Sequence, residues 1–583
     1  MSFNNFGNQF GSNFGKQFNN DVRKLRRSPL AITLIALAIA GGILVSISSF
    51  YADLLWFKSV GYQSVWQTTL FTKASLFVVV GFITALVVVI NVAIAYRNRP
   101  VYAPMAVEAD NLERYRSQIE PKKKLFALGV FAVVFYLGGS SATPLWSTWL
   151  QFKNSTDFGV KDPQFGLDIS FFAFKLPIYQ SVIGWATTTL VFALIAAVIV
   201  HYLYSAIRLP QPGQKFGTTG AAQVQLSILL GLIVLTKAAA YWMDRYALEL
   251  KQSKLITGLT YSDVAKAILA GIALVCALLF FANVVRKSWS LPIMGVGLLV
   301  VSALIIETAY PALVQQFQVK PSESNKEAPY IQRNIEATRA AYELNKVVVK
   351  DYEATANASA GQLSNDANTI ANIRLMDPNV LSATFRQLQQ IKPYYMFADT
   401  LDIDHYQINN TQRDTVVAVR ELNIEGNPVR NWINDHLVYT HGFGFVAAYG
   451  NTVDADGKPN FVVGDLPPTS GLGKFEPRIY FGENVPDYSI IGGNSKTDVE
   501  FDYPDDTSPN GQKNTTYKGK GGVPIGNLFN RLVFTIKYQE QRILLSNLIN
   551  SDSKILFNRN PRDRVAKVAP WLTLDGDPYP AVV

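Results

Sequence analysis

Cysteine is almost absent from the chain, Cys276 being the only one among 583 residues. An intramolecular disulfide and a cysteine-built metal cage are thereby excluded. Charge is also scarce. Only 17% of residues are Asp, Glu, Lys or Arg, against 49% hydrophobic, a departure from the soluble average towards an integral membrane protein. A third absence divides the chain. Beyond Tyr310-Pro311 no run is apolar enough to span a bilayer, whereas several such runs precede it. Reaction signatures are missing too. Lys518-Gly519-Lys520-Gly521-Gly522 has neither the spacing nor the ending of a phosphate loop, and there is no dinucleotide fingerprint, serine-hydrolase elbow or kinase set.

At 583 residues the chain exceeds one ordinary core, so at least two structural units are expected. The net charge of +9 would suit a nucleic-acid binder, but it is unevenly placed. Residues 309–583 hold 27 Lys and Arg against 31 Asp and Glu, leaving +13 for residues 1–308. Basicity confined to the membrane half points to loop retention in the cytoplasm, and no nucleic-acid partner is expected.

Residues 1–28 begin with a low-complexity Asn, Phe, Gly and Gln stretch and read as a disordered cytoplasmic tail. Apolar runs follow at about 29–52, 75–96, 124–143, 179–205, 221–242, 264–285 and 289–309. Each approaches the ~20 residues that a helix needs to cross ~30 Å of hydrocarbon, so seven spans are expected. Ala38-Ile39-Ala40 resembles a signal-peptidase site, but the first run continues through Ile47 and more spans follow, which favours an uncleaved anchor.

With the N-terminus inside, cytoplasmic segments carry sixteen Lys and Arg and the opposite loops eight. Seven crossings then put residues 310–583 outside. Trp56, Trp66, Trp146, Trp149 and Trp242 fall at the outer boundary, as an interfacial belt would. The aromatic loops 53–73 and 146–178 read as interfacial helices or a platform. A re-entrant pore loop is the sharper alternative, requiring protein cover for its backbone.

The outer region mixes element types. Helices are expected near 329–349, from Pro378 to about Ile391 behind an Asp377 cap, over 525–548, and after Asn560-Pro561. Short β-type runs lie between them at Thr415, Asn460, Pro477 and Tyr488, separated by Gly, Pro and Asp turns. The fold class expected is thus a seven-span membrane α-helical bundle followed by an extracytoplasmic α+β domain. The end, Ala581 to Val583, reads as a strand with nothing following to pair with, so the domain is expected to be incomplete at its C-terminus.

Candidate chemistry is sparse. Lys237 and Glu307 are ionisable groups within spans, where hydrocarbon makes charge costly; they could pair or line a vestibule, or simply reach the outer interface by snorkelling. Asp435, His436 and His441 form the densest acid/base cluster. Their five-residue His spacing fits no zinc-protease signature, and a buried or capping histidine is the plainer meaning. Asp454-Ala455-Asp456-Gly457 opens like a calcium loop but lacks the twelfth-position glutamate, so a hairpin turn is expected. Glu500, Asp502, Asp505 and Asp506 read as a solvated acidic loop or a divalent-cation site. No cofactor or metal is called for.

Several stretches carry a family resemblance: DLLWFKSVGYQSVWQTTLFTK, FGVKDPQFGLDISFF, AYWMDRYAL, KPSESNKEAPYIQRNIEATRAAY, LMDPNVLSATFRQLQQI, NWINDHLVYTHGFGFV and SDSKILFNRNPRDRVAKVAPWLTLDGDPYPAVV. On these the chain resembles the uncharacterised protein family 0182, bacterial multi-pass membrane proteins. The resemblance implies about seven spans and a longer C-terminal part, and it implies no reaction, cofactor or partner. The expected role is a membrane-anchored binding or scaffold protein of the bacterial plasma membrane, in contact with the lipid bilayer and with envelope proteins or cell-wall components. A transporter or channel subunit, or an envelope enzyme using Asp435 to His441, are the alternatives. Absence of disulfides suits a bacterial envelope.

Overall fold

The computed structural model describes residues 29–100, 109–208, 217–251, 255–351, 361, 372–493, 498–576 and 578–583. The expected tail, residues 1–28, lies outside these. Among the described residues, seven helices are long and apolar enough to cross a membrane: α1 (Thr33–Ser59), α2 (Gln63–Arg97), α3 (Tyr115–Lys153), α4 (Phe171–Leu203), α5 (Gly220–Leu250), α6 (Thr257–Arg286) and α7 (Ser290–Ala341). The apolar runs anticipated seven spans, and seven helices are found. Their ends were misjudged. Loop 53–73 is almost wholly helical, with a tight turn at Gly61 (φ +80°) between α1 and α2.

Tyr310-Pro311 does not break α7. The stretch from Ala303 to Ala309 winds as a wide π-helical turn, and Pro311 then sits at the start of a fresh α-helical segment, where its missing N–H costs nothing. The helix runs on to Ala341, short of the expected Val349.

The chain divides into two compact units, residues 67–352 and residues 1–66 joined with 353–583. In the first, helices pack through small residues, as membrane helices must when lipid gives them no hydrophobic incentive to associate. On α2 and α3 the approach is close: a Cβ at Gly81 would stand 2.5 Å from the Phe135 carbonyl oxygen, and one at Gly139 2.7 Å from that of Phe77. Helices α5 and α6 meet around Ala270, Ala273, Cys276 and Ala277, and Asn283 donates to Ser227 at 2.8 Å inside this contact.

The second unit holds a five-stranded antiparallel meander, β1 (Asp402–Ile408), β2 (Thr411–Val419), β3 (Phe445–Val453), β4 (Pro459–Gly464) and β5 (Thr469–Ser470), in that spatial order. Its two faces are both covered. Val416, Ala418, Val446 and Ala448 pack under Phe385 of α8 (Pro378–Gln389), while Val417, Ala447 and Val463 face the other way with Phe445. Asn409 and Asn410, both at positive φ, make the β1–β2 turn, and Gly457 (φ +79°) serves the β3–β4 turn. Asp454 accepts from the backbone N–H groups of Asp456 and Lys458 there, so the would-be calcium loop is a hairpin turn.

Beyond the meander, β6 (Tyr488–Ile491), β7 (Glu500–Pro504), β8 (Gln512–Thr515), β9 (Val523–Pro524) and β10 (Lys554–Phe557) form a three-stranded sheet, β6-β10-β9, and a β7-β8 ribbon. The expected caps are in place. Asp377 caps α8, and Asn560 accepts from the N–H groups of Arg562 and Asp563 at the start of α11 (Pro561–Val568). The long helix expected over 525–548 is shorter: α9 (Leu528–Tyr538) stops at Gln539 in left-handed conformation, and α10 (Arg542–Leu545) follows. Only Arg478–Ile479 of the run at Pro477 is strand, paired with Gly442–Phe443.

The end of α1 belongs to this second unit. Ala52, Trp56 and Phe57 join one core with Trp432, Ile525, Phe534, Ile543, Ile555 and Phe557. Trp56, expected in an interfacial belt, is only 2% exposed. Asp53 lies 3.7 Å from Lys537 and 3.2 Å from Lys567.

Candidate functional site

The sequence grouped Asp435, His436 and His441, and the structure gives them separate partners. The Asn434–Val438 segment is a π-helical turn. Asp435 receives the Arg430 guanidinium at 3.0 Å. The His436 ring stacks on Tyr488 at 4.0 Å, the two planes nearly parallel, with Nδ1 2.9 Å from the Tyr488 carbonyl oxygen. Burial pushes its pKa below the ordinary value.

His441 alone enters a buried polar centre, and two acids of the supposed surface loop meet it there. Strand pairing of Gly442–Phe443 with Arg478–Ile479 brings these residues beside β7. His441 is 1% exposed, Glu500 3% and Asp502 4%. His441 Nε2 is 3.3 Å from Asp502 Oδ1, and Nδ1 is 2.9 Å from Thr440 Oγ1. Thr440 gives its only hydroxyl proton to Glu500 Oε2 at 2.7 Å, so Nδ1 must donate to Thr440.

Both acids are fully engaged. Asp502 takes a two-pronged contact from Arg478 at 2.7 and 2.8 Å. Burial alone would raise its pKa, but the hydrogen bonds from His441 and Arg478 and their charges hold it below the ordinary carboxylate value. Glu500 also accepts from Tyr480 at 3.0 Å and from the backbone N–H groups of Gly492 and Tyr517 at 3.0 and 2.8 Å. Burial, and then the Glu500 carboxylate, push the Tyr480 phenol well up.

Arg559 closes the centre from beneath. It is 2% exposed and donates to the carbonyl oxygens of Tyr480 and Thr440 and to Ser489 Oγ. Burial lowers its pKa to about 9. A catalytic group must reach its substrate, whereas these side chains spend their hydrogen bonds on one another. A 460 Å³ cleft in this unit is walled by Glu421, Phe445, Ile479 and Tyr579, and His441 does not line it. Asp505 caps its own turn through Thr507 and Ser508. Among the described residues, no group of three or more His, Cys, Asp and Glu is placed to hold a metal ion.

In the helical unit, Glu307 pairs with Lys266 rather than with Lys237. The Lys237 ammonium lies over the Tyr241 ring at 4.6 Å, and that of Lys266 is 5.2 Å from the same ring. Lys266 escaped the sequence reading. Its signal was available, since it is the third residue of the expected span 264–285. Arg245 and Asp263 make a second pair at 2.6 Å.

Residues 30–583 match the sequence profile of an uncharacterised protein family, UPF0182. The chain belongs to this family. A UPF0182 protein of Streptomyces coelicolor is 47% identical over 565 residues, covering 95% of this chain and 56% of that protein. Others from Frankia alni, at 47% identity, and Clavibacter sepedonicus, at 43%, cover 91% and 96% of this chain and 52% and 58% of their own lengths. The chain thus spans a little over half the length of the curated UPF0182 relatives it matches. No solved structure matches.

Proposed function

We propose that this UPF0182 chain is a membrane-anchored binding or scaffold protein of the bacterial envelope, with its C-terminal α+β region outside the cell. One observation carries the reading. The end of α1 is built into the core of the C-terminal region through Ala52, Trp56 and Phe57, so the folded region holds a membrane helix as part of itself. Rigid attachment suits a platform that presents a surface. The commitment of His441, Asp502 and Glu500 to internal bonds leaves the enzyme reading with less support.

Cross-linking and pull-down from native membranes tests the proposal. Reproducible recovery of envelope proteins or wall fragments is expected, and recovery of none would count against it. The Lys and Arg asymmetry supports the orientation. Cys276 is buried, so a cysteine introduced at exposed Asp456 gives a clean label. A membrane-impermeant maleimide applied to intact spheroplasts should label Asp456→Cys and spare Lys122→Cys; the reverse pattern would refute the orientation.

A transporter or channel subunit is the second reading. The Lys266–Glu307 pair, with Lys237 over Tyr241, favours it, because ionisable groups within apolar helices are costly in hydrocarbon and often mark a path.

A further inference from the structure

Helices α2, α3 and α4 leave an open furrow between them. Its end near Tyr96 is a 410 Å³ cavity walled by Val92, Tyr96, Lys123, Lys124 and Tyr204. The next stretch is a 600 Å³ cavity walled by Leu125, Gly129, Val133, Leu137 and Ile195. The two share Phe126, Val130, Ala196 and Ile199, so they form one continuous apolar track. From Lys123 to Leu137 it covers about 20 Å along the helix axis at ~1.5 Å per residue. That is the depth of one leaflet with its headgroup region, since half of the ~40–45 Å bilayer is ~20 Å.

Charge is concentrated at one end of the track. Among the described residues Glu120 is the carboxylate there, and it is already shared: Arg99 stands at 3.8 Å, Lys123 at 3.7 Å, and the Tyr96 and Tyr204 hydroxyls both donate to it. Lys124 is exposed and has no ion-pair partner among the described residues. Among the described residues the mouth therefore carries an excess of positive charge directly beside an apolar track. Phosphate is the complement of the first and acyl chain of the second.

Gly129 supplies an independent indication. Elsewhere on α3 glycine permits helix contact, and a Cβ at Gly138 would stand 2.8 Å from the Thr84 side chain. At Gly129 a Cβ would meet nothing within 4 Å. Its missing side chain serves no helix packing and leaves the track unobstructed.

We propose that this furrow holds one anionic diacyl phospholipid of the bilayer, its acyl chains along Gly129 and Ile195 and its phosphate against Lys123 and Lys124. Basic pockets between membrane helices on the lysine-rich side bind such headgroups. The inference is independent of whatever the C-terminal region engages.

The full chain, delipidated in mild detergent, is titrated with phosphatidylglycerol and with phosphatidylcholine and observed by native mass spectrometry. One phosphatidylglycerol per chain is expected to bind in preference to phosphatidylcholine. Lys124→Gln should lose about fivefold in phosphatidylglycerol affinity and the double change Lys123→Gln/Lys124→Gln about thirtyfold, at roughly one fivefold step per charge near a membrane surface. Phosphatidylcholine binding should stay as it was. Gly129→Leu, whose Cβ meets nothing within 4 Å, extends an isobutyl group into the track and should abolish binding of both lipids while the melting temperature is kept. Equal binding of the two lipids by the unaltered chain, an unchanged preference in the double variant, unaltered binding by Gly129→Leu, or a lipid-free dimer closing the furrow would each overturn the proposal.

Discussion

Asp502 is a buried acid whose carboxylate meets Arg478 and His441. Its two oxygens hold the Arg478 fork and meet His441, so removing it strands a guanidinium and an imidazole together. Breaking a buried pair from one side costs about 3 kcal/mol or more, and Asp502→Ala should lower the melting temperature of the purified protein accordingly. A melt unchanged within error would mean that the centre contributes nothing to stability. His436 gives a pH dependence of defined sign. Its pKa is depressed in the folded protein, so its contribution is complete above the unfolded value of about 6.5 and is lost as pH falls below it. Melting temperature should drop between pH 7 and pH 5, and His436→Phe should flatten that drop. Of this chemistry the sequence showed His436 and His441 but not their partners. Asp502 lies 61 residues from His441, and no local pattern announces a contact across that separation.

Among the elements, helix existence was legible and helix extent was not. Twenty apolar residues declare a span whatever surrounds them, but the aromatic and polar residues that lengthen α1, α2 and α7 carry no such mark. Pro311 looked like a stop because proline usually is one; the π-helical turn before it re-spaces the carbonyls and lets the helix continue. Strand β3 went unseen for the opposite reason. Phe445 to Ala448 are buried on both faces of the meander, so the alternation that betrays a half-buried strand is missing. The caps at Asp377 and Asn560, by contrast, are local chemistry and were readable. Close packing of α2 on α3 predicts a contrast within the glycines. Gly81→Val should lower the melting temperature by the equivalent of about 2 kcal/mol, since the new side chain would meet the Phe135 carbonyl, whereas Gly129→Ala should leave it unchanged. Equal effects would show that the helices do not meet as closely as described.

At the scale of the whole molecule, the two units do not follow the order of the chain. The C-terminal core takes Ala52, Trp56 and Phe57 from α1, a partnership that no hydropathy profile could reveal because those residues simply extend an apolar run. Expressed alone, residues 310–583 should therefore be aggregated in size-exclusion chromatography, and co-expression of residues 1–66 should recover a monodisperse species. A soluble, cooperative fragment without α1 would contradict the shared core.

The contact between Asp53 and Lys567 spans 514 positions. At the ~5–20 residues per second of bacterial or eukaryotic synthesis, the earlier side chain must wait roughly half a minute to nearly two minutes for the later one. Throughout that interval Trp56 and Phe57 are already in place with no core to enter. Whatever shields them meanwhile, the membrane surface or a chaperone, becomes part of the folding route, and assembly of the C-terminal region is timed by the ribosome rather than by its own collapse.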